Sequence, residues 1–292
     1  MNPQFPLYIP SKGRWDSRLT SRALESTNVP YYIIIEKQEY DNYAAVISKD
    51  KILILDKKYQ DEYDTCDDLG DTKSKGPGAA RNFAWEHSIK NGFAWHWVMD
   101  DNIESFYRMN HNQRIRLGDG TGFRCMEDFV LRYKNIAMAG PDYRFFAAPL
   151  AALPAFITNT RIYSCNLIRN DVPFRWRGRY NEDTDLSLQM LKAGWCTVQF
   201  YAFLQGKAAT QTVKGGNTEE FYAQEGTYNK SKMIVDLHPD VATLVQKYGR
   251  WHHYVDYKRF KQKLIRKDDL VIEDKINNYG MKLVETTTKE TL

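Results

Sequence analysis

Cysteine is scarce in this sequence, and the four present, Cys66, Cys125, Cys165 and Cys196, stand far apart without a Cys-x-x-Cys pair. Such spacing suggests neither a disulfide framework nor a zinc site, and it fits a reducing compartment. Long apolar runs are also lacking: none approaches the ~18 residues that a membrane-spanning helix requires. The opening residues, Met-Asn-Pro-Gln-Phe-Pro, hold no charged leader followed by an apolar segment. A soluble, cytoplasmic protein with no membrane partner is therefore expected. There is no internal repeat and no low-complexity tract. Nor is there a strong excess of one charge: 41 Lys and Arg against 37 Asp and Glu leave a formal +4, which permits a polyanionic partner without requiring one.

What is present is an ordinary globular composition with many rings. Hydrophobic residues make up 42% and charged residues 27%, and 292 residues can bury one large core, with or without an appendage. The 14% aromatic content, including 19 Tyr and 7 Trp, serves either core filling or stacking on sugars and bases.

The first 55 residues alternate in period. Leu7 to Pro10 reads as a strand, Ser17 to Thr27 as a helix, Tyr31 to Ile35 as a buried strand ending at Glu36, Glu39 to Ile47 as a helix, and Lys51 to Leu55 as a third strand. Strands and helices in alternation indicate a parallel sheet with crossover helices. Between the first strand and helix lies Ser11-Lys12-Gly13-Arg14, which is either a phosphate-binding loop or an exposed basic turn. Tyr59 to Asp71 reads as loop. Lys73 to Glu86 then sets two lysines and Gly76-Pro77 before a helix, a cationic mouth for phosphate with Lys75, Arg81 and Asn82 in reach.

Phe93 to Met99 is an apolar, aromatic run of strand length that stops at Asp100-Asp101-Asn102. Carboxylates delivered to the C-terminal end of a buried strand lie where open α/β sheets bind ligands, and their oxygens suit Mg²⁺ or Mn²⁺. Taken alone, the same residues describe an acidic turn.

Farther on, Ile103 to Arg108 is short and aromatic, and His111 to Gly122 reads as loop or hairpin. Cys125 to Ala139 has helical spacing, and Phe145 to Pro149, Phe156-Ile157 and Tyr163 to Arg169 read as strands. Arg175-Trp176-Arg177-Gly178-Arg179 interleaves cations with a ring, a composition suited to an anionic acceptor or to a plain loop. Asn181 is placed as the N-cap of a helix whose first turn carries Glu182, Asp183 and Asp185. Trp195 to Phe203 reads as the last strand. Lys207 to Thr218, with Lys214 and Gly215, has the composition of a lid. Helices are expected within Glu219 to Tyr248, a basic aromatic stretch at Arg250 to Tyr257, and a cationic helix over Lys258 to Arg266.

These motifs, in this order, resemble nucleotide-sugar-dependent glycosyltransferases of the GT-A type. More narrowly, Ile-Pro-Ser-Lys-Gly-Arg, Asp-Asp-Asn, Asn-Glu-Asp-Thr-Asp-Leu and Lys-Gly-Gly-Asn are similar to phage-type TET-associated glycosyltransferases, which modify hydroxymethylated pyrimidines in DNA. The resemblance runs from about residue 5 to 257. It implies an α/β fold with a single Rossmann-type mixed sheet flanked by helices, catalytic over 1–218, with a helical basic extension over 219–292 packed on it. It further implies a UDP-sugar donor, UDP-glucose first, held by Pro10, Ser11, Lys12, Arg14, Glu36, Lys75, Gly76, Arg81, Asn82, Asp100, Lys214 and Gly215. Mn²⁺ or Mg²⁺ would sit on Asp101 and Asn102, with His238 or the His252-His253 pair as a further ligand, His238 being preferred. Asp183 would act as general base with Glu182 orienting the sugar or acceptor, and transfer would invert the anomeric configuration. The acceptor, 5-hydroxymethylcytosine or 5-hydroxymethyluracil in DNA, would meet Arg175, Trp176, Arg177, Arg179, His252 and His253, in the host-cell cytoplasm if the chain is phage-encoded. A glycan or protein acceptor, a non-catalytic nucleic-acid-binding module and a nucleotidyltransferase are the alternatives. Asn102 departs from the Asp-x-Asp pattern, since an amide is a neutral and weaker ligand.

Overall fold

The structure is a computed structural model, and it describes residues 1–70, 74–111, 113–147, 153–207 and 227–269. The N-terminal alternation folds as expected: β1 (Leu7–Pro10), α1 (Leu19–Glu25), β2 (Tyr32–Ile35), α2 (Tyr40–Ala44) and β3 (Ile52–Ile54). Its strands pair in parallel, β3 on β2 on β1. A short α3 (Lys57–Asp61) occupies the start of the expected loop, and α4 (Gly78–Lys90) leads into β4 (Trp95–Met99). β4 lies parallel to β1, with every residue buried, because both faces of the sheet are covered here.

The second half is β5 (Ile103–Asn110), β6 (Gln113–Arg116), α5 (Thr121–Val130), β7 (Ile136–Tyr143), β8 (Phe156–Thr158), β9 (Cys165–Arg169), α6 (Glu182–Lys192) and β10 (Cys196–Lys207). The main order is β3-β2-β1-β4-β9-β7-β10-β5-β6, and β8 pairs with β10 to complete a ten-stranded mixed sheet. A core of Leu, Ile, Trp and Phe side chains from β1, β2, β4, α1 and α5 lies against one face, and Trp85, Ile168, Leu186 and Met190 are among those against the other.

Two expectations fail in instructive ways. The helix expected over Cys125 to Ala139 ends at Val130, and Ile136–Tyr143 is an inner strand between β9 and β10. Alanines in Ile-Ala-Met-Ala-Gly imitate a helix, but small side chains are what this crowded strand needs. A Cβ on Gly140 would come within 2.2 Å of the Cys165 carbonyl oxygen on β9. The strand expected over Phe145 to Pro149 begins in a turn, and its last two residues lie outside the described residues.

The C-terminal part is less helical than expected. It holds α7 (Tyr228–Leu237), then a hairpin of β11 (Ala242–Lys247) and β12 (Arg250–Val255) closed by Tyr248 and Gly249, both at positive φ as a two-residue turn requires. The cationic helix expected over Lys258 to Arg266 is instead an extended strap after a 3-10 turn. Asn135 fixes it, accepting from the Ile265 N–H at 2.8 Å and donating to the Lys263 carbonyl at 2.9 Å. Burial alternates there with period two: Phe260, Gln262 and Leu264 are part-buried, Lys261, Lys263 and Ile265 exposed, and Phe260 and Leu264 pack on the core. Among the described residues no helix is long and apolar enough to cross a membrane.

Candidate active site

Parallel strands deliver their C-terminal ends to one edge of the sheet, and a cleft of about 740 Å³ opens there. Its wall includes Pro10, Ser11, Lys12 and Arg14 after β1, Glu36 after β2, Lys75, Gly76 and Arg81 at the start of α4, and Asp100, Asp101 and Asn102 after β4. Glu182 and Asp183 enter from the first turn of α6. The structure thus brings the upstream loops and both carboxylate clusters to one place. Gly76 is required in this wall: its φ is +78°, and a Cβ would lie 2.9 Å from the Arg179 carbonyl oxygen.

The first cluster is saturated with partners. Asp100 accepts from the Arg81 guanidinium on Oδ1 and the Lys207 ammonium on Oδ2, each at 2.6 Å. Burial alone would raise its pKa, but Lys207 and Arg81 outweigh burial and hold the carboxyl well below the usual range. Asp101 accepts from Ser11 Oγ at 2.8 Å on Oδ2 and pairs through Oδ1 with Arg14. Its burial wins over these partners, so its pKa is raised. The turn itself is fastened by Thr20, whose hydroxyl donates to the Asp100 carbonyl at 2.6 Å and accepts from the Ile103 N–H at 2.8 Å.

The second cluster is divided. Glu182 pairs with Arg81 Nη1 at 3.0 Å, and its pKa is raised by burial and by Asp183 against the pull of Arg81. Asp183 accepts from the Thr184 N–H at 2.7 Å, yet no cation stands at ion-pair distance from it among the described residues. Its charge is still felt at Arg161, Tyr257 and His253. The His253 pKa falls to about 4 through burial and Arg161, with Asp183 opposing, so the ring is neutral at pH 7. Asn181 occupies the expected N-cap position, but its side chain donates to the Lys230 carbonyl on α7 at 2.6 Å and caps nothing.

Several expected ligand contacts are otherwise engaged. The Asn82 amide grips the Trp176 backbone, donating to its carbonyl and accepting from its N–H at 2.9 Å each, and does not line the cleft. Trp176 is only 1% exposed and lies under the Arg81 guanidinium at 4.6 Å, so it is core and no stacking platform. Arg179 is 2% exposed and binds Asp67 and the carbonyls of Gly70 and Ser74. Arg175 is paired with Glu86 and Arg177 with Asp185. The arginine-aromatic run is a brace across the cleft wall rather than an open acceptor surface. His252 is exposed on β12, and His253 beside it is half-buried. Lys214 and Gly215, with the rest of the expected lid after Lys207, lie outside the described residues.

His238 is also corrected. It is buried at the end of α7, and its Nε2 is 2.8 Å from Asp185 Oδ1, away from the cleft lining. The bond ties α7 to the helix that presents Asp183, which is a structural task. A divalent ion on the remaining set would need oxygens from Asp100 or Asp101. All four carboxylate oxygens already accept from Arg81, Lys207, Arg14 or Ser11, and among the described residues no three His, Cys, Asp or Glu side chains converge. The buried Asn102 Oδ1 beside them lacks a hydrogen-bond partner among the described residues. The donor set does not fit a formed metal site.

A family model described as TET-associated glycosyltransferase matches residues 5–216, nearly three quarters of the chain. The chain belongs to this family. No curated protein matches it. As a glycosyltransferase, it has its cleft almost wholly inside the matched region, Lys230 being the exception. The residues that sequence reasoning missed are Lys207, Ser164 and Arg161. Lys207 could have been found from topology: β10 runs parallel to β7, so its last residue arrives at the ligand edge.

Proposed function

We propose that this glycosyltransferase moves a sugar, glucose first, from a UDP-sugar to the hydroxymethyl group of 5-hydroxymethylcytosine or 5-hydroxymethyluracil in DNA, with inversion. The observation that carries the reading is Asp183, a carboxylate at the cleft wall with no cation bound to it among the described residues, beside a floor rich in cations. A group kept free of cations can accept a proton; one bound by two of them cannot do so easily.

In the proposed reaction the acceptor oxygen attacks the anomeric carbon while its proton passes to Asp183. The bond from the anomeric carbon to the diphosphate breaks, and its electron pair leaves on the diphosphate oxygen. Glu182, fixed by Arg81, orients the sugar. Ser11, Lys12 and Arg14 line the nucleotide end, with Glu36 opposite Lys12 at 3.6 Å. Membership of the family supports a modified DNA base as acceptor, and such a base in a duplex has to be flipped out. Arg161 and His253, which feel the charge of Asp183, and the exposed His252 are offered for its contacts, while the 175–179 run contributes through the brace.

The test is incubation with DNA containing either hydroxymethylated pyrimidine and a panel of UDP-sugars, followed by mass spectrometry of the nucleosides. A hexose increment on the hydroxymethylated nucleoside is expected. Unchanged nucleosides with every donor, from protein that still cleaves a UDP-sugar, overturn the DNA reading and leave a glycan or protein acceptor.

A further inference from the structure

The cations on the cleft floor form a connected series. Lys207 Nζ donates to Asp100 Oδ2 at 2.6 Å and to Ser164 Oγ at 2.8 Å; Arg81 donates to the other oxygen of Asp100 and pairs with Glu182. Arg14 holds Asp101. Three carboxylates, Asp100, Asp101 and Glu182, are therefore matched by three fixed positive charges, so the oxygens after β4 that a divalent ion would need are already engaged while the cations still line the cleft.

The local fold aims Lys207 deliberately. The β10–β5 register breaks between Gly206 and Lys207, and such a bulge turns the following side chain. A Cβ on Gly206 would lie 2.9 Å from Ser105 Oγ, so glycine permits the close approach. Ser164 is placed by the strand end of β9, where its carbonyl accepts from the Asp100 N–H at 2.7 Å, and its hydroxyl meets Tyr143 Oη at 2.6 Å. Lys207 is consequently held by Asp100 and Ser164 while still lining the cleft.

We propose that Lys207 and Arg81 take up the charge of the departing diphosphate, held ready by Asp100, and that the reaction needs no divalent metal. As the bond to the anomeric carbon breaks, the electron pair develops on a diphosphate oxygen, and Lys207 shifts a hydrogen bond from Asp100 to that oxygen. No proton transfer is required, because burial is outweighed by Asp100 and Lys207 stays an ammonium. Asp100 acts as a positioning residue: it keeps a cation desolvated and in place before the ligand arrives.

The inference rests on a diphosphate leaving group but not on the nucleotide or acceptor, so the probe is inorganic pyrophosphate. Calorimetry on EDTA-treated protein is expected to show pyrophosphate binding that added Mn²⁺ or Mg²⁺ leaves within about twofold. Lys207→Gln is expected to weaken it by roughly 10- to 100-fold, the loss of one charge-assisted bond, and Lys207→Arg to recover most of it. Binding that vanishes on chelation and returns with Mn²⁺ overturns the proposal, as does wild-type affinity in Lys207→Gln. The chelation arm uses the unaltered chain, so misfolding of a variant cannot obscure it. Failure to modify hydroxymethylated DNA would leave this result standing.

Discussion

Two acidic clusters meet in this cleft with nearly the same composition and opposite surroundings. Asp100 and Asp101 follow a buried strand, and every oxygen accepts from Arg81, Lys207, Arg14 or Ser11. Glu182 and Asp183 open a helix, and Arg81 binds the first and leaves the second. Asp100, held between Arg81 and Lys207, has lost its basicity and become an anchor for those cations. Asp183 has no cation at ion-pair distance among the described residues. The difference lies in the neighbours, since both are aspartates at the mouth of the same sheet.

The contrast breaks most directly at Asp183. Asp183→Asn is expected to lower the transfer rate on the order of 10²- to 10⁴-fold, while donor affinity measured by calorimetry stays within about twofold. Equal loss of donor binding would place Asp183 among the anchors. Asp101→Asn should act the other way, on the fold. It removes one charge that the Arg14 guanidinium, 9% exposed, is paired with, and urea unfolding is expected to show a loss of about 3–5 kcal/mol. A loss below about 1 kcal/mol would mean that the pair is not an anchor.

A third carboxylate sharpens the comparison from outside the cleft. Glu127 is buried and accepts from the N–H groups of Gln4, Phe5 and Trp97. Burial pushes its pKa up to about 7, although these donors pull it down. A raised acid favours the protonated fold, so its contribution is full below the ordinary value near 4.5 and is lost as pH rises through about 7. Melting temperature is expected to fall across that window by the equivalent of about 3 kcal/mol, and Glu127→Gln should flatten the curve. An unchanged slope in the variant would assign the pH dependence elsewhere. The smallest effect is expected at the brace. Arg175→Ala removes a partly exposed pair with Glu86 and should cost under about 1 kcal/mol, with the KM for modified DNA unchanged. A marked rise in that KM would restore Arg175 to the acceptor surface.

Much of the cleft was legible before folding. Ser11, Lys12, Arg14, Lys75, Arg81, Asp100 and Glu182 could be collected because buried parallel strands read as continuous apolar runs and their C-terminal ends share an edge. The failures have a common cause. Arg177 and Arg179 looked available in a sequence window, but their partners are Asp185 and Asp67, and the latter is 112 residues away. His238 looked like a late ligand and serves Asp185 instead. Ile136 to Ala139 reads as the end of a helix because small residues suit a helix and a crowded inner strand equally.

Local order along the chain thus determined the elements, the edge of the sheet that would hold the site and the identity of the acids there. Hydrophobic period and strand direction are local properties, and a sequence carries them openly. Which acid is anchored and which is free was decided only by tertiary structure. Lys207, Arg81 and Arg14 come from three separate segments, and a carboxylate's basicity depends on the charges within a few ångströms of it rather than on its neighbours in the chain.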